Sequence, residues 1–185
     1  MSRLSIKSPG SLLYHIIFFS LLPILLASTS KSSVGEINIE IKNGLIFQTG
    51  AKEPYTGRLI DTLNQKLIEY DVIKGIKEGE FVVHFPNKNV ELYGKIKNNK
   101  NEGLWKYFYP DGSIECQGNF MNDVVEGEWT WYYPNGNIKE TGFFGSGKRQ
   151  GIWKFFKSNG DLLRELTFYN DEVINKVEPY KNQAI

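Results

Sequence analysis

Residues 127–142 read GEWTWYYPNGNIKETG, and this stretch decides the fold. Its two tryptophans alternate with Thr130 and Tyr132, and a period of two is typical of a β-strand. The Pro-Asn-Gly segment that follows favours a tight turn, because Gly accepts positive φ and Pro restricts φ. A second alternating run starts at Ile138. The stretch therefore predicts a β-hairpin.

The same pattern recurs every 24 residues along the sequence. The glycines that open the units are Gly79, Gly103, Gly127 and Gly151, with Gly57 another 22 residues upstream. Two residues after each of the four glycines comes an aromatic column: Phe81, Trp105, Trp129 and Trp153. A single hairpin cannot bury its apolar face alone, so recurring aromatic residues usually serve the stacking of one unit on the next. We interpret these glycines and aromatic residues as the spine of a repeat array.

These units predict an all-β protein, a meander of about five tandem 24-residue β-hairpin repeats forming an elongated, twisted antiparallel sheet. We assign residues 34–56 to a leading hairpin, 57–173 to the hairpin repeats and 174–185 to a C-terminal tail. Polar connectors such as KNNKNE join one hairpin to the next. Lys88 stands where the equivalent turns of the other three units have Gly, so a wider turn is expected there.

A second glycine column lies in the returning strands, at Gly94, Gly118 and Gly142. A glycine inside a strand often marks the close approach of another group. We expect a bulky ring from a neighbouring strand to lie over the bare backbone at each of these positions.

The amino end is typical of an export signal. Residues 1–30 contain no acidic residue, carry Arg3 and Lys7, and include the apolar run 11–27 followed by small residues. This order predicts a cleaved signal peptide and an extracytoplasmic protein, periplasmic or secreted. The alternative is an uncleaved membrane anchor, since the run is near the short limit for crossing a bilayer.

Net charge, cysteine and histidine content and the absence of catalytic motifs argue against several classes of function. Removing Arg3 and Lys7 from the net charge of +1 leaves −1, which argues against a nucleic-acid partner held through phosphates. Cys116 is the single cysteine, so an internal disulfide is excluded, and His84 is the one histidine after residue 30. No phosphate loop, nucleophile elbow or zinc-ligand motif is present. The sequence therefore predicts no catalytic or metal-binding residues, no cofactor and no enzymatic activity.

A candidate binding surface lies on the opposite parity of the first strands. His84, Phe108, Tyr132 and Phe156 form a row there, and rows of aromatic rings on an exported protein can stack on sugars or hold choline-like cations. Glu78, Glu102 and Glu126 form a further column, which we interpret as a solvated edge rather than a cation site.

The units GEWTWYYPNGNIKETG and GLWKYFYPDGSIECQG resemble the bacterial variant of the MORN repeat, whose pattern is Gly-x-Trp-x-x-Tyr-Tyr-x-Asn-Gly before an alternating strand. The resemblance covers about residues 44–172. It implies a non-enzymatic sheet of hairpins used for interaction. Some bacterial members carry an antitoxin label, and some eukaryotic members are linked to membrane lipids.

Three functional hypotheses follow. The first is an exported protein-binding or scaffolding module whose partner is another protein. The second is glycan or cell-wall binding through the aromatic row; choline-binding repeats are similar in appearance but have a shorter period. The third, an antitoxin-like inhibitor of a toxin protein, applies if the protein is not exported. Contact with a membrane is expected only through residues 11–27, if they are uncleaved.

Overall fold

The computed structural model describes residues 37–178, and this part of the protein is built from β-strands. The expected signal peptide or anchor at residues 1–30 lies outside the described residues, as do residues 179–185. Between residues 37 and 178, the protein forms no helix with the length and apolarity needed to cross a membrane.

The described residues form thirteen strands. In sequence order they are β1 Ile39–Lys42, β2 Leu45–Gln48, β3 Gly57–Leu63, β4 Lys66–Ile73, β5 Ile76–His84, β6 Val90–Lys97, β7 Lys100–Phe108, β8 Ile114–Met121, β9 Val124–Tyr132, β10 Ile138–Gly145, β11 Lys148–Phe156, β12 Leu162–Tyr169 and β13 Glu172–Val177.

The strands confirm the predicted meander. From β3 to β13 each strand pairs antiparallel with its neighbours in sequence, which gives one 11-stranded sheet. The leading hairpin, β1 with β2, forms a separate two-stranded sheet. It is tied to the β4–β5 turn, because the Ile46 N–H donates to the Gly75 carbonyl at 2.9 Å and the Gly75 N–H donates to the Tyr55 carbonyl at 2.7 Å.

The sheet continues beyond the boundary drawn at residue 173. Strand β13 pairs with β12 through contacts that include Lys176 opposite Leu166 and Val177 opposite Glu165. Residues 174–177, assigned from the sequence to the C-terminal tail, are therefore part of the sheet's last strand. Every residue of β13 is exposed, so apolar and polar side chains do not need to alternate along it, and the sequence pattern does not mark the strand.

The polar connectors are much shorter than the sequence indicates. Each is a two-residue turn, and its flanking residues belong to the strands on either side. In the connector between β6 and β7, Asn98 and Asn99 both have positive φ, at 50° and 63°. This is the backbone of the tight turns whose twist matches that of paired strands, and Asn tolerates it better than most residues.

The turn at Lys88 is not wider than the others, so that expectation was wrong. The Phe85 N–H donates to the Asn89 carbonyl at 2.9 Å and the Lys88 N–H donates to the Phe85 carbonyl at 2.8 Å. The same pair of bonds closes the turn that contains Gly112. Lys88 reaches this geometry by adopting φ of 71°, a left-handed conformation that is unfavourable for a residue with a side chain.

Three repeat glycines, Gly103, Gly127 and Gly151, lie in bulges that bring a tryptophan ring over the previous strand. Gly118 on β8 faces three residues of β9, because Gln117 pairs with Thr130 and Asn119 pairs with Glu126. Gly127, the first of those three, has φ of 76°, which explains the need for glycine. The third is Trp129, and its ring occupies the space that a Cβ at Gly118 would take.

The ring-over-glycine arrangement occurs three times, as the glycine column predicted. Trp105 covers Gly94, Trp129 covers Gly118 and Trp153 covers Gly142. Each indole N–H donates to a backbone carbonyl ten residues earlier, that of Lys95, Asn119 or Phe143, at 3.2 Å. The identical geometry in three units shows that the spine is a structural device of the repeat.

The aromatic spine forms the core of a single sheet. Trp129 is 0% exposed and contacts Phe120 and Trp131 at ring-centroid distances of 5.4 and 5.7 Å. Further ring contacts join Tyr70 to Phe81 at one end and Trp153 to Phe168 at the other. The rings of successive repeats thus bury one another, and this burial stabilises the sheet.

Candidate binding surface

The sheet has two chemically different faces. The inner face carries the buried spine. The outer face carries the residues of opposite parity, and the strand register places eleven of them in one row across the sheet. This outer row consists of Ile60, Glu69, Val82, Tyr93, Lys106, Gln117, Thr130, Thr141, Lys154, Glu165 and Val177.

The middle of the outer row is polar and held by side-chain hydrogen bonds. The Thr130 and Thr141 hydroxyls are 3.0 Å apart, and the Gln117 amide donates to the Tyr132 hydroxyl at 3.1 Å. Lys154 lies 3.8 Å from a carboxylate oxygen of Glu165. The centre of this face therefore offers hydroxyl, amide and ammonium groups to a partner.

The structure places the aromatic row predicted from the sequence on the outer face, but only half-exposed. His84, Phe108, Tyr132 and Phe156 are all intermediate in burial. The His84 Nε2 lies 3.0 Å from a carboxylate oxygen of Glu69, and its Nδ1 lies 3.2 Å from the Lys88 carbonyl oxygen. A histidine clamped between two acceptors fits a structural role at this end of the row.

Three exposed apolar residues of the central repeats were not predicted from the sequence as a binding surface. Leu104, Phe143 and Ile152 are 46%, 50% and 57% exposed. Leu104 and Ile152 directly follow repeat glycines, and Phe143 directly follows a glycine of the second column. The sequence did carry a signal of exposure: the position after the repeat glycine is Leu104 or Ile152 in two units but Glu80 or Glu128 in the other two.

Charged residues cluster at the first repeat of the outer face. The Arg58 guanidinium contacts Glu69 at 3.1 Å, Asp71 at 2.9 Å and Glu80 at 3.7 Å. The carboxylates keep the pKa of Arg58 above its usual value, against the opposing effect of desolvation. The cluster holds β3, β4 and β5 together on their solvent side, although surface pairs of this kind stabilise a fold only modestly.

The glutamate column has a structural role that the solvated-edge interpretation missed. Carboxylate oxygens of Glu78, Glu102 and Glu126 accept the N–H of the first residue of the next connector, at distances of 2.7, 3.0 and 2.7 Å. Each glutamate thereby holds the following turn in place. Among residues 37–178, no cluster of three or more His, Cys, Asp or Glu side chains is arranged to bind a metal ion.

One inner-face position becomes charged in the later repeats. It is Leu92 and Cys116 in two units, then Glu140 and Arg164. Desolvation raises the pKa of Glu140, although Lys139, Arg149 and Arg164 oppose that effect. Burial also raises the pKa of Cys116 well above its usual value, which disfavours the reactive thiolate. Arg164 lies over the Phe155 ring, 4.9 Å from its centroid.

Comparison with protein families identifies three of the repeats. Residues 101–122, 125–144 and 149–171 match the MORN repeat variant family. Comparison with curated protein sequences gives no match.

Among solved structures, the crystal structure of TarM covers 63% of this protein with 10% identity and a TM-score of 0.38. The pneumococcal O-GlcNAc transferase GtfA, in complex with UDP and GlcNAc, covers 57% with 18% identity and a TM-score of 0.33. The present protein spans about a fifth of the length of each, 21% and 20%.

The family match coincides with the geometry of the central repeats. Residues 101–171 contain all three tryptophans that lie over glycines, Trp105, Trp129 and Trp153, together with two of the glycines that they cover, Gly118 and Gly142. The resemblance seen in the sequence is thereby confirmed: three consecutive repeats match the MORN repeat variant family.

Proposed function

We propose that this is an exported, non-enzymatic repeat protein that binds another protein through the outer face of its sheet. MORN repeats in general are modules that bind proteins or membranes. The observation that carries the proposal is the difference between the faces. The inner face is filled by the protein's own rings, whereas the outer face leaves Leu104, Phe143 and Ile152 exposed beside a polar row.

The chemistry of the outer face suits a protein partner. Protein interfaces combine a small apolar centre with a polar rim that contributes hydrogen bonds. Phe143 and Ile152 lie on the adjacent strands β10 and β11, next to the paired Thr141 and Lys154. These residues supply an apolar centre and polar surroundings where the repeat that opens at Gly127 meets the repeat that opens at Gly151. We infer that a partner docks across the last two repeats.

A photo-crosslinking experiment tests this function. A photoreactive amino acid is placed at position 143, and at position 60 in a matched control, because Ile60 is also an exposed apolar residue of the outer face, at 52%. We expect one cell-envelope protein to crosslink from position 143 and to be lost when Ile152 is changed to Ser. Equal crosslinking from both positions, or none from either, would refute the proposal.

Export is tested separately by sequencing the amino terminus of the form that accumulates in cells. We expect a soluble product that begins between residues 28 and 34, after the apolar run at residues 11–27. An uncleaved membrane-bound form would make the repeats a tethered module. An uncleaved cytosolic form would refute export and favour the antitoxin-like inhibitor.

The spacing of the half-exposed aromatic row supports glycan binding as a second candidate function. Phe108, Tyr132 and Phe156 lie on every second strand, β7, β9 and β11, so they recur at about 10 Å across the sheet. An extended sugar polymer running across the strands would meet one ring at each step. Replacing Tyr132 and Phe156 with Ala should abolish co-sedimentation with cell-wall polysaccharide. Unchanged co-sedimentation by a folded double variant would exclude this function.

A further inference from the structure

The sequence contains three Asn-Gly dipeptides, and each lies in a turn. They are Asn43-Gly44, Asn135-Gly136 and Asn159-Gly160. Asn-Gly is the sequence most prone to spontaneous deamidation, because glycine places no side chain in the way of its own backbone nitrogen when that nitrogen attacks the asparagine amide. The three sites share this local chemistry, so differences between them come from the fold.

Asn135 is restrained at every group that the reaction uses. Its side-chain oxygen accepts the Asn137 N–H at 3.1 Å, and its side-chain nitrogen donates to the Ser158 carbonyl of the next repeat at 2.7 Å. The attacking nitrogen, that of Gly136, donates to the Tyr133 carbonyl at 2.8 Å. These bonds must break before the nitrogen can approach the amide carbon.

Asn159 is restrained in a similar way, but only by its own turn. Its amide group bonds to Asp161 twice, through the Asp161 N–H at 3.1 Å and the Asp161 carboxylate at 2.8 Å. The Gly160 N–H donates to the Lys157 carbonyl at 2.9 Å. Because none of these bonds reaches another repeat, this turn opens more easily than the turn at Asn135.

Asn43 has none of these restraints. Within residues 37–178, its amide group forms no hydrogen bond, and neither does the Gly44 N–H. Both residues are exposed, and nothing lies within 4 Å of the place where a Gly44 Cβ would be. Their hairpin has strands of only four residues, and a two-stranded hairpin is marginal by itself, so its local opening requires little free energy.

We propose that Asn43 is a spontaneous modification site, converted by water to aspartate or isoaspartate in the folded protein. The Gly44 backbone nitrogen loses its proton and bonds to the Asn43 Cγ, and the bond between Cγ and Nδ2 breaks to release ammonia. Water then adds to one of the two carbonyls of the resulting succinimide. Opening of one ring bond gives aspartate, and opening of the other gives isoaspartate. No oxidant or reductant takes part.

The modification changes the hairpin that carries it. A carboxylate appears beside the ion pair between Lys42 and Glu40, whose charged atoms are 2.8 Å apart. Isoaspartate also lengthens the backbone by one carbon in a turn whose two residues have φ of 53° and 78°. A lengthened turn disturbs the pairing of Lys42 with Leu45, and through β2 it weakens the bond between Ile46 and Gly75.

Peptide mapping by mass spectrometry of the aged full-length protein tests the proposal. The folded protein is incubated at mildly alkaline pH, and the fraction of acid at positions 43, 135 and 159 is followed with time. We expect Asn43 to convert at least about tenfold faster than Asn135, because several hydrogen bonds restrain only the latter. Asn159 should be intermediate. An Asn43→Gln variant shows that the mass gain in that peptide belongs to residue 43.

A denatured sample is the matched control. In strong denaturant the three rates should become similar, because the dipeptides are identical and the hydrogen bonds are gone. The proposal is overturned if Asn135 or Asn159 converts as fast as Asn43 in the folded protein. It is also overturned if the ranking of the three sites persists unchanged in denaturant, because the fold would then not set it.

Discussion

Replacing Gly118 with Ala tests whether the tryptophan spine holds the repeats together. An added Cβ would overlap three ring atoms of Trp129, which is 0% exposed. The ring must shift against Phe120 and Trp131, and its N–H loses its acceptor, the Asn119 carbonyl at 3.2 Å.

The expected cost combines three effects. Overpacking of a filled core costs about 1–3 kcal/mol. A lost hydrogen bond adds about 1 kcal/mol. Replacing a strand glycine returns about 0.5–1 kcal/mol, because Ala loses less backbone entropy on folding. The free energy of unfolding should therefore fall by about 1–3.5 kcal/mol.

Urea denaturation followed by tryptophan fluorescence and circular dichroism measures this loss. The matched control is Gly145→Ala in strand β10, where an added Cβ meets only Gln150 Cγ at 3.4 Å and Phe143 Cε1 at 3.9 Å. This control should be neutral or stabilising by up to about 1 kcal/mol. Equal stability of the two variants would refute the spine as the source of cohesion.

Making Gly118→Ala in a Trp129→Leu protein tests whether the loss of stability comes from the clash with the Trp129 ring. In a Trp129→Leu protein the added Cβ has no indole ring to displace, so Gly118→Ala should cost much less there than in the wild type. The difference between the two costs is the coupling energy between Gly118 and Trp129. A cost that is the same in both backgrounds would place the effect elsewhere in the strand.

Three further substitutions test individual features in the same denaturation assay. Lys88→Gly should stabilise the fold by about 1 kcal/mol because it relieves a left-handed backbone conformation at a residue that bears a side chain, and a loss of stability would show that Lys88 makes compensating contacts. Tyr133→Phe removes the hydroxyl that donates to the Phe156 carbonyl at 2.8 Å and should cost about 1 kcal/mol, whereas an unchanged midpoint would mean that this bond contributes nothing. Glu140→Gln concerns a carboxyl whose pKa is raised in the folded state, so the folded protein binds more protons and its stability falls as pH rises from 4.5 through the raised pKa. The variant should lose this part of the pH dependence and gain stability at neutral pH, and a steeper decline with pH would contradict the assignment.

The sequence predicted those features that repeat at fixed spacing. The period of two identified the strands, and the period of 24 placed Phe81, Trp105, Trp129 and Trp153 in one column. The glycine column at Gly94, Gly118 and Gly142 even indicated the ring contact. Such features can be recognised in the sequence alone because equivalent positions make the same packing contacts in each repeat.

The features that were missed depend on pairing between strands. The bulge opposite Gly118 is defined by residues of two strands, so no local stretch displays it. The Asn122 N–H donates to the Glu102 carboxylate 20 residues away, so in the sequence the glutamate looks like a free surface group. The half-burial of Tyr132 likewise involves Gln117 on the neighbouring strand. The expectation at Lys88 failed because the turn's hydrogen bonds outweigh the residue's own preference.

Comparing equivalent positions of the repeat units distinguishes positions needed for packing from positions whose side chains are free to bind a partner. The four units that open at Gly79, Gly103, Gly127 and Gly151 all have an aromatic residue two positions after the glycine, and in three of them its ring covers a glycine of the preceding strand. One residue after the glycine, the units have Glu80, Leu104, Glu128 and Ile152, and three residues after it they have Val82, Lys106, Thr130 and Lys154. Both variable positions face outward, where stacking imposes no common side chain. A sheet whose inner face holds the repeats together can therefore carry different side chains on its outer face in each unit. A partner that binds the outer face would contact these variable side chains and not the residues that the repeats share.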